Sequence, residues 1–263
     1  MKLFYREIGT GGENMIILHG LFGSSDNWLT QAKMFAKHFH VYLPDLRNHG
    51  QSPHSEEFSY TLLADDMEAF IRSNGISQPV IIGHSMGGKT AMTVATRYPG
   101  SVHRLIVVDI APKAYPEQHD RILEGLLALP VGQLGSRNEA EEKLAEYVPE
   151  GPVRQFLLKN LKREKNGGFG WKMNLEGLAA NISAIGDAVE KGIRFEKPTL
   201  FIRGRKSNYI KDSDMDSIRK VFPNATLVTM DTGHWVQAEK PGELVEVVLD
   251  FLGRAETKED KTG

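Results

Sequence analysis

A serine stands between two glycines in Gly83-His84-Ser85-Met86-Gly87, directly after the β-branched run Val80-Ile81-Ile82. A strand that turns into a helix around one serine forces that residue to a strained backbone angle and lifts its hydroxyl clear of the sheet. Glycines flank such a turn because side chains there would strike the neighbouring strand and helix. The first amides of the following helix then point at whatever the serine attacks. A serine nucleophile also needs a base, an acid that orients the base, and donors for the oxyanion. His234, in the turn Asp231-Thr232-Gly233-His234-Trp235, lies late in the chain after a strand-like run and is the candidate base. Asp109 ends the run Leu105–Val108 and would stand one strand, about 4.8 Å, from the strand that carries the serine. It is the preferred acid, with Asp212 or Asp214 as alternatives. The Met86 amide is one oxyanion donor, and Leu21 or Phe22 in His19-Gly20-Leu21-Phe22-Gly23 supplies the other.

The same letters fit a second chemistry. Gly83-x-x-x-x-Gly88-Lys89-Thr90 matches a phosphate-binding loop, and Leu105–Asp109 imitates the strand that holds magnesium in nucleotide hydrolases. Such a loop wraps phosphate for about eight residues before its helix settles. That leaves a short helix to cross the sheet, and it gives no task to the His19–Gly23 or Gly233–Trp235 segments. Nucleotide binding at residues 83–90 is therefore the remote alternative.

The positioning elements follow from periodicity. Lys2–Ile8 reads as an edge strand, and the turn cluster Gly9–Gly12 predicts a hairpin into the apolar strand Met15–Leu18. Helices are predicted over Asp26–Lys37, Tyr60–Ser73 and Met86–Tyr98, with strands at His40–Leu43, Val80–Ile82 and Arg104–Val108. This alternation argues for a mostly parallel, doubly wound α/β sheet. From Lys113 to Glu196 the pattern turns helical, with expected helices over Asp120–Leu129, Arg137–Val148, Val153–Arg163 and Asn174–Val189. Alternation resumes with strands at Pro198–Arg203 and Ala225–Met230 and helices over Ser213–Phe222 and Pro241–Leu252. The expected division is a core of residues 1–112 and 197–255, an all-helical lid of 113–196, and a flexible tail of 256–263.

Composition narrows the functional classes. The 32 basic and 34 acidic residues leave no field for nucleic acid or an anionic membrane. The absence of cysteine excludes disulfides, thiolate metal sites and a cysteine nucleophile. No apolar h-region opens the chain and no run approaches the ~18 residues of a membrane span. A soluble cytoplasmic protein is expected, acting on a small molecule without nucleic-acid partner or membrane insertion.

These segments together resemble the α/β-hydrolase superfamily, and within it the YbfF-type small-lid bacterial esterases. The resemblance rests on His19–Ser24, Asp45–Pro53, Gly83–Lys89, Val108–Pro112 and Gly233–Pro241. It implies an α/β-hydrolase fold of about eight strands with the lid inserted after the sixth. It also implies carboxylesterase or acyl-thioesterase activity without cofactor or metal. Many relatives carry the acid after the next-to-last strand, where Ser207 stands here, and the resemblance places it at Asp109 instead. The family pattern favours Phe22 for the second oxyanion amide. Lids of this fold shape the substrate pocket, so Leu21, His84, Leu123, Leu127, Phe156, Trp171, Tyr209 and Trp235 are pocket candidates. Two other reactions run on the same frame: elimination by a menaquinone-pathway type of synthase, and carbon–carbon hydrolysis.

Overall fold

The computed structural model describes residues 1–116, 120–165, 167–190 and 194–253. Five strands come first: β1 (Tyr5–Ile8), β2 (Glu13–Leu18), β3 (Phe39–Pro44), β4 (Val80–His84) and β5 (Arg104–Val108). Helices α1 (Leu29–Phe35), α2 (Tyr60–Ser73) and α3 (Met86–Arg97) join the last four. The lid follows, with α4 (Asp120–Ala128), α5 (Arg137–Leu144), α6 (Gly151–Leu158), β6 (Leu161–Arg163), β7 (Phe169–Trp171), α7 (Leu175–Ala180) and α8 (Ile182–Gly186). The chain closes with β8 (Thr199–Gly204), α9 (Met215–Val221), β9 (Ala225–Met230), α10 (Val236–Glu239) and α11 (Pro241–Phe251).

Seven strands form the central sheet in the order β1-β3-β2-β4-β5-β8-β9. All neighbours are parallel except β1, which runs antiparallel to β3. Alternate side chains feed opposite faces, as the pleat requires. Ile16, Leu18, Ile81 and Leu105 pack with Met67, Phe70 and Met92 of α2 and α3. Met15, Ile17, Val80 and Ile82 pack with Phe35 of α1 and Leu244 and Val248 of α11. With both faces covered, each buried aliphatic side chain contributes about 1.5–3 kcal/mol. The parallel register also brings the chemistry-bearing loops to one edge. His84 pairs with Val108, so Ser85 and Asp109 leave adjacent strands side by side.

Five expectations need correction. Among the described residues the sheet has seven strands, not about eight, and the lid follows the fifth strand, not the sixth. The first two strands form no hairpin: the turn at 9–12 carries β2 past β3, so that β2 sits between β3 and β4. The lid is not all-helical. Val153–Arg163 ends as a helix at Leu158, and Leu161–Arg163 pairs with Phe169–Trp171 as a small antiparallel ribbon. Leu161 and Phe169 are buried there while Lys162 and Arg163 face solvent, and so short a strand carries no alternation that a sequence reading could detect. The helix expected over Asn174–Val189 is two short ones, because the Asn181 side chain bonds the carbonyls of Gly177 and Glu56 and closes the first. The tail expected at 256–263 lies outside the described residues.

Candidate active site

Ser85 sits between β4 and α3 with φ 53° and ψ −120°. A non-glycine residue there costs on the order of 1–3 kcal/mol and persists only where its surroundings over-determine it. Those surroundings are the two glycines. A Cβ on Gly83 would lie 2.2 Å from the Gly87 carbonyl oxygen, and one on Gly87 would lie 2.4 Å from that of His19. The Ser85 N–H donates to Val108 O at 3.1 Å, which locks the elbow to β5. Left-handed φ also appears at Phe22, Asn48 and Asp109 in the loops of this edge, and at Gln78 before β4.

Asp109 has no exposed surface, and its Oδ2 accepts from Nδ1 of His234 at 2.8 Å. Its Oδ1 accepts the Gly204 N–H at 2.9 Å, and its Oδ2 also takes the Ser207 hydroxyl. A carboxylate facing Nδ1 keeps the ring proton on that nitrogen and leaves Nε2 bare. Asp212 and Asp214 are engaged elsewhere: Asp212 pairs with Arg203 and Asp214 with Lys113, each at 2.7 Å. Tyr209 stacks on the His234 ring with centroids 4.0 Å apart. The His84 ring lies 4.7 Å away and faces the His234 carbonyl through Nε2 at 2.9 Å. Burial pushes His84 well below its ordinary value, and the neighbouring His234 adds to the shift. His84 is therefore a neutral donor that holds the His234 backbone.

Ser85 and His234 line one cavity of about 30 Å³, together with Leu21, Phe22, Leu157 and Trp235. A second, of about 40 Å³, lies between Ser85, Met86, Lys89, Tyr60 and Tyr115. An open groove of about 440 Å³ reaches His234, Tyr209 and Trp235 from beside Arg121 and Tyr147. Met86 opens α3, so its N–H has no partner within the helix. Of the two amides weighed for the second donor, that of Phe22 is already committed, donating to His49 Nε2 at 3.2 Å. The Leu21 N–H has no backbone partner among the described residues, and Leu21 lines both cavities.

Lys89 corrects the phosphate-loop alternative. Its residue is 1% exposed, and its ammonium donates to the carbonyls of Gly186, at 2.9 Å, and Asp187. The rings of Tyr60 and Tyr115 lie 5.4 and 4.9 Å from it. Helix α3 begins at Met86, so no open loop remains to wrap phosphate, and Asp109 is bound to His234.

The pocket candidates divide. Leu21, His84, Tyr209 and Trp235 line the cavities and groove at Ser85 and His234. Phe156 meets Trp235 with ring centroids 4.4 Å apart and lines a separate apolar groove of about 530 Å³. Leu127 and Trp171 line a different groove beside Met173. Leu123 packs against the core. The sequence reading missed Ser207 as a donor to Asp109, although that residue occupied the slot under scrutiny. It also missed His49 and Asn160, whose partners are backbone atoms and leave no motif.

The model of the α/β hydrolase fold family matches residues 13–241. The chain belongs to the α/β-hydrolase family. A Haemophilus influenzae protein named as an esterase/lipase is 40% identical over 242 residues, covering 91% of this chain and 83% of that one. The sn-1-specific diacylglycerol lipase ABHD11 of Danio rerio is 38% identical over 247 residues, covering 90% and 78%. The solved structure of an esterase from a marine microorganism is 41% identical, with a TM-score of 0.93 over 95% of this chain and 99% of that one. As in other α/β hydrolases, the elbow serine of this chain heads a helix at the carboxyl edge of a parallel sheet. Among the described residues no helix is long and apolar enough to cross a membrane.

Proposed function

We propose that this α/β hydrolase cleaves carboxylic esters through an acyl-enzyme, with Ser85 as nucleophile, His234 as base and Asp109 as the orienting acid. The observation that carries this reading is the 2.8 Å bond from His234 Nδ1 to buried Asp109, with Ser85 at φ 53° on the same cavity. Ser85 Oγ attacks the carbonyl carbon as its proton passes to His234 Nε2. Asp109 holds the imidazolium that forms. The new oxyanion receives the amides of Met86 and Leu21, the latter replacing Phe22. His234 then gives its proton to the leaving alcohol or thiol as the carbon–oxygen or carbon–sulfur bond breaks. Water repeats the sequence on the acyl-serine and frees the acid. The esterase and lipase relatives support ester over thioester as the preferred bond. The substrate enters by the open groove at Tyr209 and Trp235, and a cytoplasmic location is part of the same proposal.

The test is a panel of aryl and glyceryl esters and acyl thioesters on wild type and Ser85→Ala, with fluorophosphonate labelling. Wild type labels at one serine and hydrolyses esters. The variant loses the label and about 10⁴-fold or more in rate. Full activity in Ser85→Ala would refute the assignment.

A further inference from the structure

The oxyanion loop is held from outside itself. Phe22 stands at φ 57°, a conformation a non-glycine residue keeps only under constraint. Both of its backbone polar groups are engaged. Its N–H donates to His49 Nε2 at 3.2 Å, and its carbonyl accepts Asn160 Nδ2 of the lid at 2.7 Å.

Each partner is itself fixed. His49 faces the Arg47 carbonyl through Nδ1 at 2.9 Å. A carbonyl only accepts, so the ring proton sits on Nδ1 and the bare Nε2 is the acceptor that Phe22 requires. Asn160 also donates to Leu157 O of α6 at 3.1 Å, and its carbonyl accepts the Lys172 N–H at 2.8 Å. The lid also holds Asn48, the residue before His49. Asn174 donates its backbone N–H to Asn48 O at 2.9 Å and its side chain to Asn48 Oδ1 at 3.1 Å.

We infer that Asn160 and His49 are positioning residues for the oxyanion hole. Together they fix the backbone of Phe22, and so the orientation of the neighbouring Leu21 amide, so that seating of the lid sets the hole. This rests on the reading above in which Leu21 and Met86 receive the oxyanion. Neither residue touches substrate; each acts through the loop. It also gives work to the Arg47-Asn48-His49-Gly50 segment, whose side chains take no direct part in the proposed reaction.

The experiment compares wild type, Asn160→Ala, His49→Phe and His49→Gln. Rates are expressed per serine labelled by fluorophosphonate, so misfolded protein does not count. Donors displaced by under an ångström lose transition-state stabilisation more than substrate binding. For Asn160→Ala and His49→Phe, kcat on a short aryl ester should fall about 10- to 100-fold with KM within about threefold. Affinity for an alkyl boronic acid, which forms a tetrahedral anion on Ser85, should fall by the same factor. His49→Gln keeps an acceptor for the Phe22 N–H and should recover much of both. If Asn160→Ala does not fold, the two His49 variants decide through the same readouts. Unchanged kcat per labelled serine and unchanged boronate affinity would overturn the inference, as would equal losses in His49→Phe and His49→Gln. Wild-type protein that resists labelling would instead overturn the hydrolase reading beneath it.

Discussion

Three histidines beneath the site should make this fold acid-sensitive, and the size of the effect can be worked out for one of them. His19, His49 and His84 are 1%, 0% and 1% exposed. Burial is the leading cause of a lowered value in all three, and His49 falls from 6.5 to about 3. Between those two values the unfolded chain holds a proton that the folded chain does not. Falling pH therefore favours unfolding: the contribution of His49 is intact above 6.5 and is lost as pH drops toward 3. At pH 5 the difference spans about 1.5 units, or about 2 kcal/mol at 1.36 kcal/mol per unit. That is a large fraction of a typical stability of about 5–15 kcal/mol. Urea unfolding of wild type and His49→Gln at pH 7 and pH 5 reads the contribution of His49 together with its interaction with the neighbouring His19. Glutamine can accept from Phe22 and donate to Arg47 O without titrating. The stability lost between pH 7 and pH 5 should be about 2 kcal/mol smaller in the variant. Equal losses in the two proteins would refute the claim that burial keeps His49 neutral.

Other perturbations test the remaining parts. In Asp109→Asn, the Gly204 N–H holds the side-chain oxygen at the Oδ1 position, so the new amide nitrogen takes the Oδ2 position facing His234 Nδ1 and forces the ring proton onto Nε2. The wrong tautomer should lower kcat by about 10⁴-fold on an aryl ester, with the protein still folded by circular dichroism. Ser207→Ala removes a hydrogen bond to a buried carboxylate and should cost about 1.5–3 kcal/mol in urea unfolding, with a far smaller loss of kcat than Asp109→Asn. Burial lowers Lys89 from 10.5 to about 8, so the unfolded chain holds the extra proton between those values and wild type gains stability as pH rises through the window. Between pH 7.5 and 9.5 that gain should exceed the gain of Lys89→Met by about 2 kcal/mol, read by the same unfolding assay.

Where side-chain chemistry dictates spacing, the sequence was legible. The elbow reads directly because only glycine fits at 83 and 87, and the strand before it is apolar on both faces. Asp109 reads from sheet order, since a residue that ends the strand beside the elbow can reach a histidine delivered to the same edge. Lys89 was misleading for a physical reason. An elbow whose helix carries Gly87-Gly88 for close packing on β2 and β5 reproduces the spacing of a phosphate loop by coincidence. The proposed second oxyanion donor was not legible, because a backbone N–H leaves no mark in the sequence. The choice between Leu21 and Phe22 turns on His49, which is 27 positions from Phe22 in the chain. The ribbon at 161–171 and the break at Asn181 escaped for a related reason. Short elements are fixed by tertiary partners, Glu56 among them, more than by their own periodicity.

Several bonds between lid and core fall close to the candidate site. Asn160 meets the carbonyl of Phe22, Asn174 meets Asn48, and Lys89 of α3 reaches back to the carbonyls of Gly186 and Asp187. Tyr60 likewise donates to Ile185 O at 2.7 Å, and the Tyr115 hydroxyl donates to Tyr209 O at 2.6 Å, behind the ring that stacks on His234. A cover that only excluded water could be fastened anywhere on its rim. Here the fastenings include Phe22 beside the proposed oxyanion amide, the helix that Ser85 heads, and the loop whose Tyr209 ring stacks on His234. A substrate too large for the open groove would displace the lid and so loosen the same groups that the proposed transition state needs rigid. A substrate that holds the lid open should then lose kcat before it loses affinity.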